Sequence, residues 1–165
     1  MRGRGPRSTV GEGAATIRRV SDAQAGQSGS HAWDAAPVGD VLGQFVRHLG
    51  LQMVEVSPDQ VRGTWEAAPH LHQPYGIVHG GAHCSVVETL ASVGAATWLG
   101  DRGKVVGVNN FTDFFRAVTT GELSSVATPL HRGRSQQLWL VETSDAAGRL
   151  VARGQVRLQN LYPDS

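Results

Sequence analysis

The sequence predicts an α+β fold arranged around one long buried helix, and three observations carry that prediction. From Gly80 to Leu99 the apolar residues Val86, Val87, Leu90, Ala91, Val93, Ala95, Trp98 and Leu99 cover nearly every face of a helix. A helix apolar all round is enclosed by other structure. After it come four stretches of strand character, and before it only a short helix and a hairpin. Strands and helices therefore do not alternate regularly, which argues against a doubly wound sheet.

Taken in order, residues 1–35 are rich in Gly, Ser, Ala and Arg and poor in large apolar side chains. Such a segment buries too little to offset its ordering entropy, and it is expected to be a disordered tail. The folded domain is expected over residues 36–162. Val38, Val41, Leu42, Phe45 and Leu49 recur at helical spacing after Pro37, and Gly50 suits the end of a short amphipathic helix. Leu51–Val56 and Val61–Glu66, joined through Pro58-Asp59, read as a β-hairpin. A Pro- and Gly-containing loop leads to the long helix. Strands are expected over Val105–Arg116, Glu122–His131, Gln136–Ser144 and Leu150–Asn160, with Gly121, Gly133 and the Asp145–Gly148 segment between them.

Composition narrows the function. The chain has 165 residues, 40% hydrophobic and 18% charged, which suits one globular domain. A net charge of +1 gives no reason to expect nucleic-acid binding. One cysteine, Cys84, excludes an internal disulfide framework and leaves the cytoplasm as the default location. No apolar run is long enough to span a membrane. The early arginines are not followed by the apolar segment of a secretory signal.

The chemistry is expected on the long helix. Glu88 is the only formally charged residue between Gly80 and Leu99. Desolvation penalises an unpaired carboxylate, and carboxylates so placed are frequent acids, bases or nucleophiles. The alternative is that Glu88 points to solvent or pairs with an arginine such as Arg116. At the start of the same helix, Gly80-Gly81 offers side-chain-free backbone amides, whose unpaired N–H groups can stabilise an oxyanion. Tight packing is the competing reason for these glycines. Glu88 lies about 12 Å further along by helical rise. The two halves therefore meet only along an extended substrate or across two subunits.

The segments Gln73-Pro74-Tyr75-Gly76-Ile77-Val78-His79-Gly80-Gly81 and Cys84 to Ser92 resemble the signature of hotdog-fold thioesterases. More narrowly they are similar to the phenylacetate-pathway (PaaI-like) branch, which includes one class of 4-hydroxybenzoyl-CoA thioesterase. The resemblance runs over roughly residues 40–160, through Asp113–Ala117 and Gly148–Gly154. It implies a hotdog fold, with a long central helix wrapped by an antiparallel sheet, and hydrolysis of a small aromatic or short-chain acyl-CoA. Glu88 matches the family's base or nucleophile, and Gly80 its oxyanion-hole glycine. Gln73 matches a polar residue that orients the carbonyl or the water, and Ser92 a water-holding hydroxyl. His79 and Gly81 shape the turn against the substrate. The resemblance further implies a cytoplasmic homo-oligomer, dimers pairing into a tetramer, with the site between two subunits and no cofactor.

Coenzyme A carries phosphates, and Arg116, Arg132, Arg134 and Ser135 are candidates to hold them, since a guanidinium fork fits phosphate oxygens. A solvated basic turn is the alternative. His70, His72, His79 and His83 cluster in sequence, with His79 and His83 at i, i+4, but without an HExxH pattern no metal site is expected. Cys84 reads as a small core residue. Two functional alternatives stay open: a non-catalytic acyl-CoA-binding protein, and a hotdog dehydratase or hydratase.

Overall fold

The computed structural model describes residues 42–163. The expected tail over residues 1–35 and the expected helix start at Pro37 lie outside the described residues. Helix α1 covers Gly43–Leu49 and buries Val46 and Leu49, with Leu42 half-buried beside them. Phe45, expected on the buried stripe, faces solvent instead. The buried line steps from Leu42 to Val46 to Leu49, one helical turn at a time, and leaves Phe45 on the flank.

The hairpin strands are β1, Gln52–Val56, and β2, Val61–Glu66. Val61, Gly63 and Trp65 of β2 turn inward by strict alternation. A short 3-10 turn at Pro69–Leu71 precedes α2, Gly80–Leu99. The remaining strands are β3 (Lys104–Phe114), β4 (Glu122–Arg132), β5 (Gln136–Asp145) and β6 (Leu150–Leu161). All of these fall within two residues of the spans read from the sequence.

The six strands form one antiparallel sheet in the order β1-β2-β4-β5-β6-β3. Helix α2 lies across it, touching every strand, and its buried face is Val86, Val87, Leu90, Ala91 and Leu99 among others. Each fully buried Val or Leu contributes roughly 1.5–3 kcal/mol relative to exposure. Across the sheet these residues meet Trp65, Trp139, Leu123, Val141 and Leu158. Both core tryptophans pair their indole nitrogens: Trp65 Nε1 donates to Ser125 Oγ at 3.1 Å, and Trp139 Nε1 to Gln137 Oε1 at 3.0 Å.

Two features of this topology position the site. Among the described residues strand β3 is an edge, paired to β6 on one side only. It also carries a bulge: Gly107 opposes Leu158 and Asn109 opposes Arg157, which leaves Val108 as the extra residue. One extra residue reverses which side chains face each surface of the sheet. Gly107 before the bulge and Asn110, Thr112 and Phe114 after it consequently all lie towards α2.

Candidate active site

Helix α2 begins with an extended residue, His79, whose Nδ1 accepts the Gly81 N–H at 2.8 Å. The Ala82 N–H turns back to the His79 carbonyl at 2.9 Å. Helix geometry gives the first N–H groups no intrahelical acceptor. Of the first three amides, only that of Gly80 is left without an acceptor among the described residues. A Cβ on Gly80 would meet Phe114 Cζ at 2.9 Å, so the aromatic ring lies against a bare α-carbon that no other residue type supplies.

A cavity of about 380 Å³ opens here, lined by Gln73, His79, Gly80, His83, Phe114 and Arg116 among others. The Gln73 backbone is tied into its loop, accepting from Gly76 and donating to Ile77, each at 2.9 Å. Its side-chain amide makes no hydrogen bond among the described residues. His83 is 4% exposed and sits edge-on to Trp65, with ring centroids 5.2 Å apart, and beside Phe114 at 5.9 Å. Its Nδ1 is sealed from solvent with no hydrogen-bond partner. Burial pulls this imidazole down from 6.5 to about 4, so it is neutral at physiological pH.

Two turns along α2, Glu88 is half-buried against β3. Its Oε2 accepts from Asn110 Nδ2 at 3.0 Å, and the same nitrogen donates to the Cys84 carbonyl at 3.0 Å. Thr112 Oγ1 donates to Asn110 Oδ1 at 2.7 Å. The other carboxylate oxygen, Oε1, lies over Gly107, where any Cβ would collide with it. Glu88 therefore neither points freely into solvent nor pairs with Arg116; its hydrogen-bonding partner is an amide. Ser92 is half-buried one turn further on.

The structure thus brings Gln73, His79, Gly80 and Arg116 to one cavity and sets Glu88 and Ser92 at another level of the same helix. The other candidate phosphate ligands stand apart from that cavity. Arg132 is committed to Asp59 Oδ1 and the Pro58 carbonyl, both at 2.9 Å, and lies over the Trp98 ring at 5.6 Å. The backbone of Gly133, Arg134 and Ser135 is pinned to the end of β6: Asn160 Nδ2 donates to the Gly133 and Arg134 carbonyls, and Asn160 N–H to that of Ser135. The clustered histidines hold separate posts, His70 against the His48 carbonyl and His72 against that of Ala67. Among the described residues no group of three His, Cys, Asp or Glu side chains converges as a metal site. None of the described helices is long and apolar enough to cross a membrane.

Sequence reasoning missed Asn110, Thr112 and Gly107, and weighed His83 only as a metal ligand. One signal was present: a glycine inside a strand often marks the close approach of another group. Nothing in the sequence announced the bulge that brings Asn110 to the same carboxylate.

The thioesterase superfamily model matches residues 75–152, which include Gly80, Glu88, Ser92 and Asn110. The Mycobacterium tuberculosis protein Rv1847 is 52% identical over 120 residues, covering 71% of this chain and 86% of that one. The proofreading thioesterase EntH of Cronobacter turicensis is 35% identical over 108 residues, covering 66% of this chain and 79% of its own. Among solved structures, AziG of S. sahachiroi superposes with a TM-score of 0.73 at 59% identity, over 74% of this chain and 99% of that one. With one long helix packed against an antiparallel sheet, this hotdog chain belongs to the thioesterase superfamily.

Proposed function

We propose that this protein hydrolyses a small aromatic or short-chain acyl-CoA thioester to the free acid and coenzyme A, as a PaaI-like enzyme without metal or organic cofactor. The observation that carries the proposal is the half-buried, amide-bound carboxylate of Glu88 on the same helix whose first amide, Gly80, lacks an acceptor among the described residues. The Gly80 N–H polarises the thioester carbonyl and takes up charge as the tetrahedral centre forms. Glu88 either deprotonates the attacking water or attacks the carbonyl itself to give a mixed anhydride that water then opens. Gln73 orients the carbonyl or the water, and Ser92 holds the water. The C–S bond then breaks, and the coenzyme A sulfur takes the proton that Glu88 removed from water or, on the anhydride route, a proton from solvent. Arg116 at the cavity, with Arg134 and Ser135 on their pinned turn, meets the coenzyme A phosphates, while His79 and Gly81 shape the entrance.

The two halves lie too far apart along α2 to meet on one carbonyl, which favours a site shared by two protomers. The β3 edge is the surface suited to joining them. Its backbone, unpaired on that side among the described residues, is flanked by exposed Val106 (44%), Val108 (49%) and Phe111 (63%). An open apolar strand edge is a template for pairing with another chain. Edge-to-edge pairing sets Gly80 and Gln73 of one protomer opposite Glu88 of the other, and such dimers can pair again into tetramers.

Thiol release from a panel of acyl-CoAs tests the reading. Turnover is expected on at least one member, and Glu88→Ala is expected to lower kcat by about 10³-fold or more with the fold intact. Tight binding without thiol release would leave a binding protein, and hydration of an enoyl-CoA would leave a hydratase.

A further inference from the structure

On the reading of Glu88 as the acting carboxylate, we infer that Asn110, itself held by Thr112, is a positioning residue that fixes Glu88 by one oxygen and leaves Oε1 to act. The amide of Asn110 is fully committed. An amide nitrogen carries two hydrogens, and here one goes to Glu88 Oε2 and the other to the Cys84 carbonyl. Its oxygen is taken by the Thr112 hydroxyl. A flipped amide would set that oxygen against two acceptors, so the Cys84 carbonyl and the carboxylate decide which end of Asn110 meets Glu88, and the Thr112 hydroxyl holds the other end in place.

The Cys84 carbonyl lies one helical turn before Glu88, where the Glu88 backbone N–H is also directed in an α-helix. Asn110 therefore ties the carboxylate to the backbone of its own turn and fixes its direction relative to the helix. No ion pair engages Glu88 among the described residues, which leaves this amide as its hydrogen-bonding neighbour among them. The strand is shaped for the purpose. In a regular strand, Gly107 and Asn110, three apart, would face opposite sides. The bulge at Val108 brings both to Glu88, one making room for Oε1 and the other binding Oε2.

The experiment is steady-state thiol release by the full chain, with an acyl-CoA that the wild type turns over. Asn110→Leu is expected to lower kcat about 10–100-fold with KM within twofold. Asn110→Asp keeps the size but turns an acceptor towards Glu88, so its loss is at least as large. Thr112→Val, which keeps the shape, falls in between, and Thr112→Ser restores kcat to within twofold of wild type.

A packing role predicts a different order, with the isosteric Asp milder than Leu and Thr112→Val neutral. That order, or Asn110→Leu with kcat within twofold of wild type, overturns the inference. If the Asn110 variants lose their cooperative melting transition, the Thr112 pair carries the test alone. Glu88→Ala run alongside separates the two levels of argument. Retained turnover in that variant sinks the reading of Glu88 itself, whereas an inactive Glu88→Ala beside a normal Asn110→Leu sinks only the role of Asn110.

Discussion

The two ends of the candidate site differ in what they have left over. At the start of α2 the surplus is in donors: the Gly80 amide and the Gln73 side-chain amide make no hydrogen bonds among the described residues. Two turns along, the surplus is in acceptors, because Glu88 has one oxygen bound by Asn110 and the other lying over Gly107. Leaving polar groups unpaired costs about 1–3 kcal/mol each where they are buried, and a fold built only for stability would pair them with one another. Here the helix itself holds them apart. The contrast teaches that the two regions are complementary without being mutual partners within a chain, as expected if each serves a copy of the other.

The strongest way to break that comparison is complementation. Gly80→Val, which drives a side chain into Phe114, and Glu88→Ala are each expected to lose about 10²-fold or more in kcat when pure. Mixed and allowed to exchange subunits, they should recover about a quarter of wild-type activity. That is the share of composite sites receiving both intact halves after random pairing. Recovery no greater than the sum of the two pure variants would place the whole site within one chain. A smaller effect is expected from Gly107→Ala, where the added methyl displaces Glu88 Oε1. Here kcat should fall about tenfold or more, and a rate unchanged from wild type would show that the oxygen over Gly107 has no part in the reaction.

The smallest effect concerns His83 and is read in stability. Its imidazole remains neutral in the folded chain down to about 4, whereas in the unfolded chain it takes up a proton near 6.5. The unfolded state binds more protons between those values, so stability falls as the pH drops through that window. His83→Phe should remove about 2 kcal/mol of the stability difference between pH 7 and pH 5, measured from denaturant midpoints. An unaltered difference would mean that the ring titrates normally in the folded protein.

Much of the fold was legible because its signals are local. The all-round apolar run fixed α2 from Gly80 to Leu99, and the turns at Gly121, Gly133 and Gly148 bounded the last strands. Glu88 stood out as the one charge on that helix. What remained illegible depends on pairing between distant strands. The bulge at Val108 exists only against Leu158 and Arg157 of β6, so the face on which Asn110 falls cannot be counted from β3 alone. Arg132 read as a candidate phosphate ligand because its tie to Asp59 spans 73 residues of chain. His83 looked like one member of a histidine cluster, until its neighbours proved to be Trp65 and Phe114.

The β3 edge, with no neighbour beyond β6 among the described residues, has a consequence for dosage. If catalysis needs two copies joined there, the amount of working enzyme is governed by mass action between chains. Well below the dissociation constant, turnover per volume then grows with the square of protein concentration, and a diluted sample goes silent while every molecule in it is still folded.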